Sequence, residues 1–345
     1  MEAIREAIGK VTRKADLSAE DSQAAMGDIL SGRATPAQIG AFLAALRVKG
    51  ETAEEILGCA RAMRASAIPV RPRRDNLVDT CGTGGDMAGT FNISTIAALV
   101  VAGAGVPVAK HGNRSISSSC GSADLLEALG VNITLAPQQV ARCIDEVGFG
   151  FLFAPKLHLA MANAMGPRRE LGVRTIFNVL GPLTNPAFVP FQIVGVFDRA
   201  LVEPLAAVMH GLGLRRALVV HGHGGLDELS TTGPNLVVEM NNWELRPGNI
   251  DGRDLGLARA EQKDFLGGDP ATNAKTAKRI LAGERGPKRD IVVLNAAAAL
   301  YIADVASDLR QGREMAEQAI DSGAAQHTLD SLITLSNRLA EQAAA

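Results

Sequence analysis

The chain contains few cysteines and few aromatic residues, and its net charge is close to zero. Each of these features excludes a class of protein. Its four cysteines form no CxxC pair, so neither a zinc ribbon nor a thioredoxin-like site is indicated. Aromatic residues make up 3% of the chain, too few for platforms that stack single-stranded nucleic acid. The net charge of −2 lacks the basic excess that binding a phosphate backbone requires. Nucleic acid is therefore not an expected partner.

Long apolar segments are missing as well. No window reaches the roughly 18 uninterrupted apolar residues of a membrane span, and the first ten residues, MEAIREAIGK, carry charges where a signal peptide is apolar. We therefore expect no membrane partner. Together with the unpaired cysteines, this predicts a location in the reducing cytoplasm.

The 345 residues predict about two domains, at roughly 100–200 residues each. The first 67 residues read as four short helices, which end where Pro69 and Pro72 interrupt the helical period. The helix starts carry capping patterns, namely Ser18 with Asp21, Thr35 with Pro36 and Gln38, and Thr52 with Glu55. We predict a helical domain over residues 1–70.

From Leu77 onward, short apolar runs alternate with helical segments, which is typical of a mainly parallel sheet covered by helices. The predicted strands are 77–80, 106–110, 148–154, 191–197 and 216–222, and the predicted helices are 92–105, 122–130, 200–213, 271–283, 309–322 and 328–343. Breaks in the segment 160–190 suggest that it returns to the helical domain. The predicted class is α/β: a small N-terminal helical domain, a larger α/β domain (71–159 and 191–345) with a mainly parallel central sheet, and a cleft between them.

The first predicted strand runs into a glycine-rich turn, DTCGTGGD, from Asp79 to Asp86. Glycines let the backbone approach a ligand and aim several N–H groups at one phosphate, and ligands of open α/β sheets bind at strand ends. The turn is not GxGxxG, because Met87 takes the third glycine's place, and it is not a P-loop. Taken alone, such a glycine cluster is more often a plain tight turn.

Two polar clusters follow the turn. Asn92-Ile93-Ser94-Thr95 starts a predicted helix, where unpaired N–H groups favour an anion, although ordinary capping fits these residues equally well. The run from Lys110 to Arg114 is expected just after the second strand and leads into a serine-rich loop that ends at Ser122. Two cations, an amide and hydroxyls at a strand end predict a second phosphate cradle.

Three further groups bear on function. Asp227 and Glu228 follow a predicted strand, and adjacent carboxylates on such a loop suit Mg²⁺, or form a plain acidic helix start. His221 and His223 form an HxH without a third ligand nearby, which is more typical of structural histidines than of zinc. The arginines of the inter-lobe segment, Arg168, Arg169 and Arg174, read as surface ion pairs by default, or as a clamp for a substrate carboxylate.

The chain carries the following motifs in this order: GTGGD, NIST, KHGNR, GSADLLEALG, RRELGVRTIFNVLGPLTNPA and HG followed by GLDE. The segment TPAQIGAFLAALRVKGET lies near the start. With these motifs, nearly the whole chain resembles the anthranilate phosphoribosyltransferase family. GTGGD alone also fits the pyrimidine nucleoside phosphorylases. The resemblance implies a homodimer that transfers phosphoribose from phosphoribosyl pyrophosphate (PRPP) to the amine of anthranilate, in tryptophan biosynthesis, with two Mg²⁺ ions per subunit.

The resemblance also assigns residues. The PRPP site would comprise Gly82, Gly85, Asp86, Thr90, Asn92, Ile93, Ser94, Thr95, Lys110, His111, Gly112, Asn113, Arg114, Ser115, Ile116, Ser117, Ser118 and Ser122. Gly82, Asn113 and Arg168 would contact anthranilate, and Ser94, Asp227 and Glu228 would hold Mg²⁺. No residue stands out as an acid or base.

The chain departs from the family pattern at Leu159, at Gly166-Pro167 and at Gly224. These changes leave the PRPP motifs intact and bear on the geometry around Arg168. Two alternatives remain at this point: a pyrimidine nucleoside phosphorylase, which the Arg168 segment and the Asp227-Glu228 pair disfavour, and a non-catalytic relative that binds nucleic acid, which the net charge disfavours.

Overall fold

A computed structural model of the chain, which describes residues 2–115, 119–242 and 244–344, opens with four helices: α1 (Glu2–Val11), α2 (Ala19–Leu30), α3 (Pro36–Lys49) and α4 (Ala53–Ser66). Each predicted cap is present. The Ser18 hydroxyl accepts a hydrogen bond from the backbone N–H of Asp21, and Thr35 with Gln38 and Thr52 with Glu55 form reciprocal capping boxes. The predicted four-helix start is confirmed.

Helices α2 and α4 cross at very short range. A Cβ on Gly58 of α4 would lie 2.1 Å from the carbonyl oxygen of Ala19 and 2.8 Å from the backbone nitrogen of Gln23. The crossing therefore requires a residue without a side chain at position 58.

Strands and helices alternate after residue 77. The strands are β1 (Val78–Gly82), β2 (Val108–Gly112), β3 (Phe149–Phe153), β4 (Phe191–Gly195), β5 (Arg216–His221), β6 (Asn235–Asn241) and β7 (Glu244–Ile250). The helices are α5 (Ile93–Gly103), α6 (Ser122–Ala128), α7 (Pro137–Val147), α8 (Ala154–Leu157), α9 (Ala162–Leu171), α10 (Phe177–Leu183), α11 (Val202–Gly211), α12 (Pro270–Leu281), α13 (Pro287–Ile302), α14 (Leu309–Asp321) and α15 (Ala324–Ala344).

The strands form one seven-stranded sheet in the order β3-β2-β1-β4-β5-β6-β7. The pairs β3-β2, β2-β1, β1-β4 and β4-β5 are parallel, and the pairs β5-β6 and β6-β7 are antiparallel. The predicted mainly parallel sheet is confirmed. Because β1 lies between β2 and β4, the chain order reverses there, which is where open α/β sheets bind ligands.

Successive side chains along a strand point to opposite faces of the sheet, and the two faces pack into different hydrophobic cores. Ile193 and Leu218 pack with α5, α13, α14 and α15, whereas their neighbours Val194 and Val219 pack with α1 to α4, α9, α10 and α11. The helical domain thus shares its core with one face of the sheet.

Some elements are absent from the sequence-based assignment or only partly indicated in it. The β6-β7 hairpin is missing from it because β7, ELRPGNI, is a mostly exposed edge strand with few apolar residues and an internal proline. Helix α7 is also missing, although Pro137 stands at its start. Of helix α13, the sequence indicates only the helix-like context of Ala296 to Ala299. The helix is buried on nearly all sides, so it lacks the one-sided period that identifies a surface helix.

The inter-lobe segment packs against the helical domain. Helix α9 contacts α2 and α3, and α10 contacts α4. Buried side chains of the segment, including Ala164, Ile176 and Leu180, belong to the helical core. These contacts favour the predicted return of residues 160–190, and the boundaries 1–70, 71–159 and 191–345 stay a prediction.

A buried polar network joins the same segment to the sheet. Asp79 of β1 accepts hydrogen bonds from the side-chain amide of Asn185 at 2.8 Å and from the backbone N–H of His111 at 3.3 Å. Asn185 also donates to the carbonyl of Ala109, and Gln192 donates to that of Pro182. Burial raises the pKa of Asp79 to about 6, and nearby Lys110 opposes the rise.

Two buried histidines form a second link. The Nε2 atoms of His111 on β2 and His158 after α8 lie 3.2 Å apart, and Nδ1 of His111 faces the carbonyl of Gly181 at 3.2 Å. Burial lowers the pKa of His111 to about 3, with His158 adding to the shift, and lowers the pKa of His158 to about 4. Both rings are therefore neutral at pH 7.

We expect Gly58→Ala to lower the free energy of unfolding by about 1–3 kcal/mol, because the added methyl group overpacks the α2-α4 crossing. Chemical denaturation measures this change. The matched control is Gly40→Ala in α3, where a Cβ meets no atom within 4 Å, and this variant should be neutral or gain up to about 1 kcal/mol from helix propensity. Equal effects of the two variants would contradict the close crossing.

We expect His158→Gln to flatten the pH dependence of stability in acid. Between the unfolded pKa of about 6.5 and the folded value near 4, the unfolded chain binds a proton that the folded chain does not, so stability falls as pH falls. The difference in unfolding free energy between pH 7 and pH 5 should be about 2 kcal/mol smaller in the variant. His327→Gln, at an exposed position on α15, should keep the wild-type slope.

Candidate active site

The loop after β5 crosses over the end of β1 and presses Asp227 against the glycine turn. A Cβ on Gly82 would lie 2.2 Å from Oδ2 of Asp227, and the Gly84 N–H donates a hydrogen bond to the same oxygen at 2.6 Å. Gly195 at the end of β4 is equally close, because a Cβ there would lie 1.6 Å from the Asp227 carbonyl oxygen. The glycines at these strand ends make room for the loop.

Three carboxyl groups converge at this point. Burial raises the pKa of Asp227 well above its usual value, and the charges of Glu228 and Asp86 raise it further. Burial raises the pKa of Glu228 to about 7, while Lys110 opposes the shift. An oxygen of Asp86, Oδ2, is buried without a hydrogen-bond partner in the described part of the chain. The site therefore concentrates negative charge that a cation would neutralise.

Ser94 and Lys110 border the acidic group. The backbone N–H of Ser94 donates to Glu228 at 3.2 Å, and the ammonium of Lys110 donates to the Thr80 carbonyl and lies 3.5 Å from the Ser94 hydroxyl. Within the described ranges, no group of three or more His, Cys, Asp and Glu side chains has metal-binding geometry. The unpaired oxygen of Asp86 and the buried Asp227-Glu228 pair nonetheless fit Mg²⁺, which takes one or two carboxylates and completes its shell with water and substrate oxygens.

Arg174 holds the outer side of the glycine turn. Its guanidinium donates to the carbonyl oxygens of Gly85 at 3.1 Å and Gly84 at 3.0 Å, and it lies 3.7 Å from the centre of the Phe197 ring. From the sequence, Arg174 is expected to be a surface arginine or a substrate clamp, and the family resemblance does not assign it to the site. No local spacing could have revealed this contact, which joins residues about 90 positions apart.

The predicted cluster from Asn92 to Thr95 begins α5, as expected, but its side chains do not all face the turn. Ile93 and Thr95 are buried. The Asn92 amide donates to the Cys120 carbonyl, and its oxygen accepts from Asn273. Thr90 forms an isolated bridge with Leu266. From this cluster, Ser94 contacts the acidic group.

The run from Lys110 to Arg114 differs from the prediction. Lys110 lies in β2, as in the predicted strand 106–110, but the strand continues through His111 and Gly112, where the sequence predicts a loop. The ring of His111 is neutral and turned toward His158 and Gly181, whereas the two predicted cations of the run are Lys110 and Arg114. Arg114 bonds to Asp124 and Glu127, which hold its pKa above the usual value.

The rest of the predicted PRPP cradle forms a second group at the end of β2. A Cβ on Gly112 would lie 2.3 Å from the Ser122 hydroxyl, which donates to the Asn113 carbonyl at 3.3 Å. The Ser115 N–H donates to Asp124. Ile116, Ser117 and Ser118 lie outside the described residues.

Arg168, predicted to contact anthranilate, is half-buried on α9, with its guanidinium 5.6 Å from the centre of the Phe177 ring. Burial lowers its pKa. It makes no hydrogen bond to Gly82 or Asn113 among the described residues. The three predicted anthranilate contacts are therefore not joined directly in this structure.

The remaining expectations concern single positions. Gly224 has a φ of +81°, a backbone conformation that favours glycine. Leu159 is exposed. His221 and His223 face the Val196 carbonyl and the Thr232 hydroxyl, which agrees with a structural role. None of the helices described is long and apolar enough to cross a membrane.

Comparisons with known proteins cover both parts of the chain. The family model described as "Glycosyl transferase family, a/b domain" matches residues 74–326, and "Glycosyl transferase family, helical bundle domain" matches residues 5–67. The anthranilate phosphoribosyltransferase of Moorella thermoacetica is 55% identical over 326 residues, which is 94% of this chain and 96% of that protein. That of Thioalkalivibrio sulfidiphilus is 54% identical over 96% of this chain and 98% of that protein.

Solved structures agree. The anthranilate phosphoribosyltransferase of Thermus thermophilus superposes with a TM-score of 0.91 at 43% identity, over 96% of this chain and 99% of that one. The Saccharomyces cerevisiae enzyme in complex with PRPP and Mg gives a TM-score of 0.88 at 29% identity, over 97% of this chain and 98% of that one. The chain therefore belongs to the anthranilate phosphoribosyltransferase family.

Proposed function

We propose that this chain transfers the 5-phosphoribosyl group of PRPP to the amine of anthranilate, giving N-(5-phosphoribosyl)anthranilate and pyrophosphate. The observation that carries the proposal is the meeting of Asp86, Asp227 and Glu228 at the glycine turn, beside Ser94 and Lys110. A buried acidic group beside backbone donors suits a ligand that brings both anionic phosphates and a divalent cation. Related yeast structures hold PRPP with Mg, and 4-fluoroanthranilate.

In the proposed site, Asp227, Glu228 and Ser94 hold Mg²⁺, with two ions per subunit. When bound, Mg²⁺ neutralises charge on the pyrophosphate. Without a bound cation, burial and mutual repulsion disfavour the charged forms of Asp227 and Glu228. Binding of a cation would therefore remove part of the free-energy cost of keeping these carboxylates charged. The orphaned Asp86 oxygen adds to this attraction.

The predicted PRPP residues divide between the two strand ends. We propose that the glycine turn, the start of α5 and Lys110 bind the pyrophosphate end. Asn113, Arg114, Ser115, Ser122 and the serine loop bind the phosphoribosyl end. His111 is the exception, because its ring is committed to Gly181 and His158, so a contribution from it would come through its backbone.

The reaction breaks the bond between ribose C1 and the pyrophosphate oxygen, whose electron pair leaves with pyrophosphate. The amine nitrogen forms the new bond to C1 and then loses a proton to solvent. Gly82, Asn113 and Arg168 orient anthranilate in this proposal. Positioning and electrostatic stabilisation of the leaving group supply most of the acceleration. We further propose a homodimer that works in the cytoplasm.

The direct test follows anthranilate fluorescence with purified protein. We expect the signal to decay in the presence of both PRPP and Mg²⁺, and to persist when PRPP is left out or EDTA is added. Phosphorolysis of uridine and thymidine is measured in parallel. Nucleoside phosphorolysis without anthranilate consumption would assign the chain to the phosphorylase chemistry instead.

We expect Glu228→Gln to raise the Mg²⁺ concentration needed for half-maximal rate by about 10- to 100-fold, because a charged ligand is lost while the shape is kept. In the absence of Mg²⁺ its melting temperature should equal or exceed that of wild type, since a buried carboxylate has been neutralised. The control is Glu146→Gln, which removes a surface ion pair with Arg142 and should leave both values unchanged. A variant with wild-type Mg²⁺ dependence would contradict the metal site.

A further inference from the structure

Arg174 binds two consecutive carbonyl groups of the glycine turn with one planar side chain. The donated hydrogen bonds are 3.0 Å to Gly84 and 3.1 Å to Gly85. A guanidinium can make such a paired contact because its N–H groups form a rigid fork, which an ammonium group lacks. The contact reaches the turn from the inter-lobe segment, between α9 and α10.

The guanidinium has little freedom to move. Its central carbon lies 3.7 Å from the centre of the Phe197 ring, which attracts the cation to the ring face. A Cβ on Gly85 would lie 1.7 Å from Nη2 of Arg174, so only glycine leaves room for the guanidinium here. Gly85 also has a φ of +84°, a conformation that other residues rarely adopt. The turn and Arg174 are therefore fitted to each other.

Holding a carbonyl also sets the direction of the next N–H. In a trans peptide the C=O of one residue and the N–H of the next point in opposite directions in one plane, and the described residues contain no cis peptide bond. The carbonyls of Gly84 and Gly85 face Arg174, so the N–H groups of Gly85 and Asp86 point to the opposite side of the turn. Neither N–H donates a hydrogen bond within the described ranges.

Two neighbouring free N–H groups on a glycine turn make an anion-binding concavity. The turn also carries Asp86 and contacts Asp227, which places these donors beside the acidic group. We infer that Arg174 is a positioning residue for the pyrophosphate end of PRPP. Arg174 binds the carbonyl side of the turn and thereby directs the Gly85 and Asp86 N–H groups toward the substrate. This inference rests on the proposed function.

The test compares Arg174→Ala and Arg174→Lys with the matched control Arg169→Ala, an exposed arginine of the same segment. Steady-state rates are measured with PRPP varied at saturating anthranilate, and the reverse. Binding of pyrophosphate with Mg²⁺ is measured by calorimetry. Melting temperatures establish that the variants are folded.

We expect Arg174→Ala to raise the KM for PRPP and the Kd for pyrophosphate by about 10- to 100-fold, as for two lost charge-assisted hydrogen bonds, and to leave the KM for anthranilate within about twofold. Arg174→Lys should fall between wild type and Arg174→Ala, because an ammonium lacks the guanidinium fork. Added guanidinium ion should restore part of the loss in Arg174→Ala. Arg169→Ala should match wild type.

Two results would overturn the inference. A raised KM for anthranilate with unchanged PRPP constants would make Arg174 a direct anthranilate contact. A loss confined to kcat or to melting temperature, with no effect on pyrophosphate binding and no rescue, would make its role merely structural. If wild type and Arg169→Ala do not consume anthranilate, the proposed function fails, and the calorimetric comparison still decides the role of Arg174.

A second variant separates the two contacts of the guanidinium. Phe197→Leu removes the aromatic face and leaves both carbonyl partners, so we expect an increase of about threefold in the KM for PRPP, as for one cation–π contact. An increase as large as that of Arg174→Ala would contradict the assignment of positioning to the paired hydrogen bonds.

Discussion

The seating of Asp227 against the glycine turn is the contact on which the rest of the site depends. The Gly84 N–H binds its carboxylate at 2.6 Å, and neither Gly82 nor Gly195 has room for a side chain beside it. This contact joins the ends of β1 and β4 to the loop after β5. It brings together residues that lie more than 140 positions apart in the chain, and it closes the part of the sheet where strand order reverses.

The same contact carries an electrostatic cost. Burial raises the pKa of Asp227 and Glu228, and Asp86 keeps one oxygen without a partner in the described part of the chain. Unpaired buried charge destabilises a folded protein, so the fold must tolerate this group for a reason other than stability. Binding of a cation together with phosphates supplies such a reason, because it converts repulsion into attraction at the point where a leaving group would gain charge.

The inter-lobe segment ties this site to the helical domain by three kinds of contact. Asn185 binds the buried Asp79, the Gly181 carbonyl faces the ring of His111, and Arg174 holds the glycine turn. Each contact joins a sheet strand, or the turn that follows one, to a segment whose apolar side chains pack into the helical core. The segment therefore fixes the strand ends relative to the helices. Because Arg168 lies on the same segment, a substrate group bound by Arg168 would also have a fixed position relative to the glycine turn.

Local sequence determined the features that depend on neighbouring residues. The caps at Thr35 and Thr52, the strand that leads into the glycine turn and the start of α5 at Ile93 could all be read directly, because capping, strand period and glycine turns act over a few residues. The sequence also carried the family resemblance, and with it the residues proposed to bind PRPP. The edge strand β7 and the bounds of the buried helix α13 could not be read, because their amphipathic signals are weak.

Only the tertiary structure decided which polar groups meet. The sequence places His111 in a predicted phosphate cradle, but the fold buries its ring, neutral, against His158 and Gly181. From the sequence, Arg174 is a surface arginine or a substrate clamp, but in the fold its guanidinium binds the carbonyl groups of the glycine turn. Charge state and contact over long separations depend on burial and on packing between distant segments, and neither is encoded in the spacing of residues along the chain.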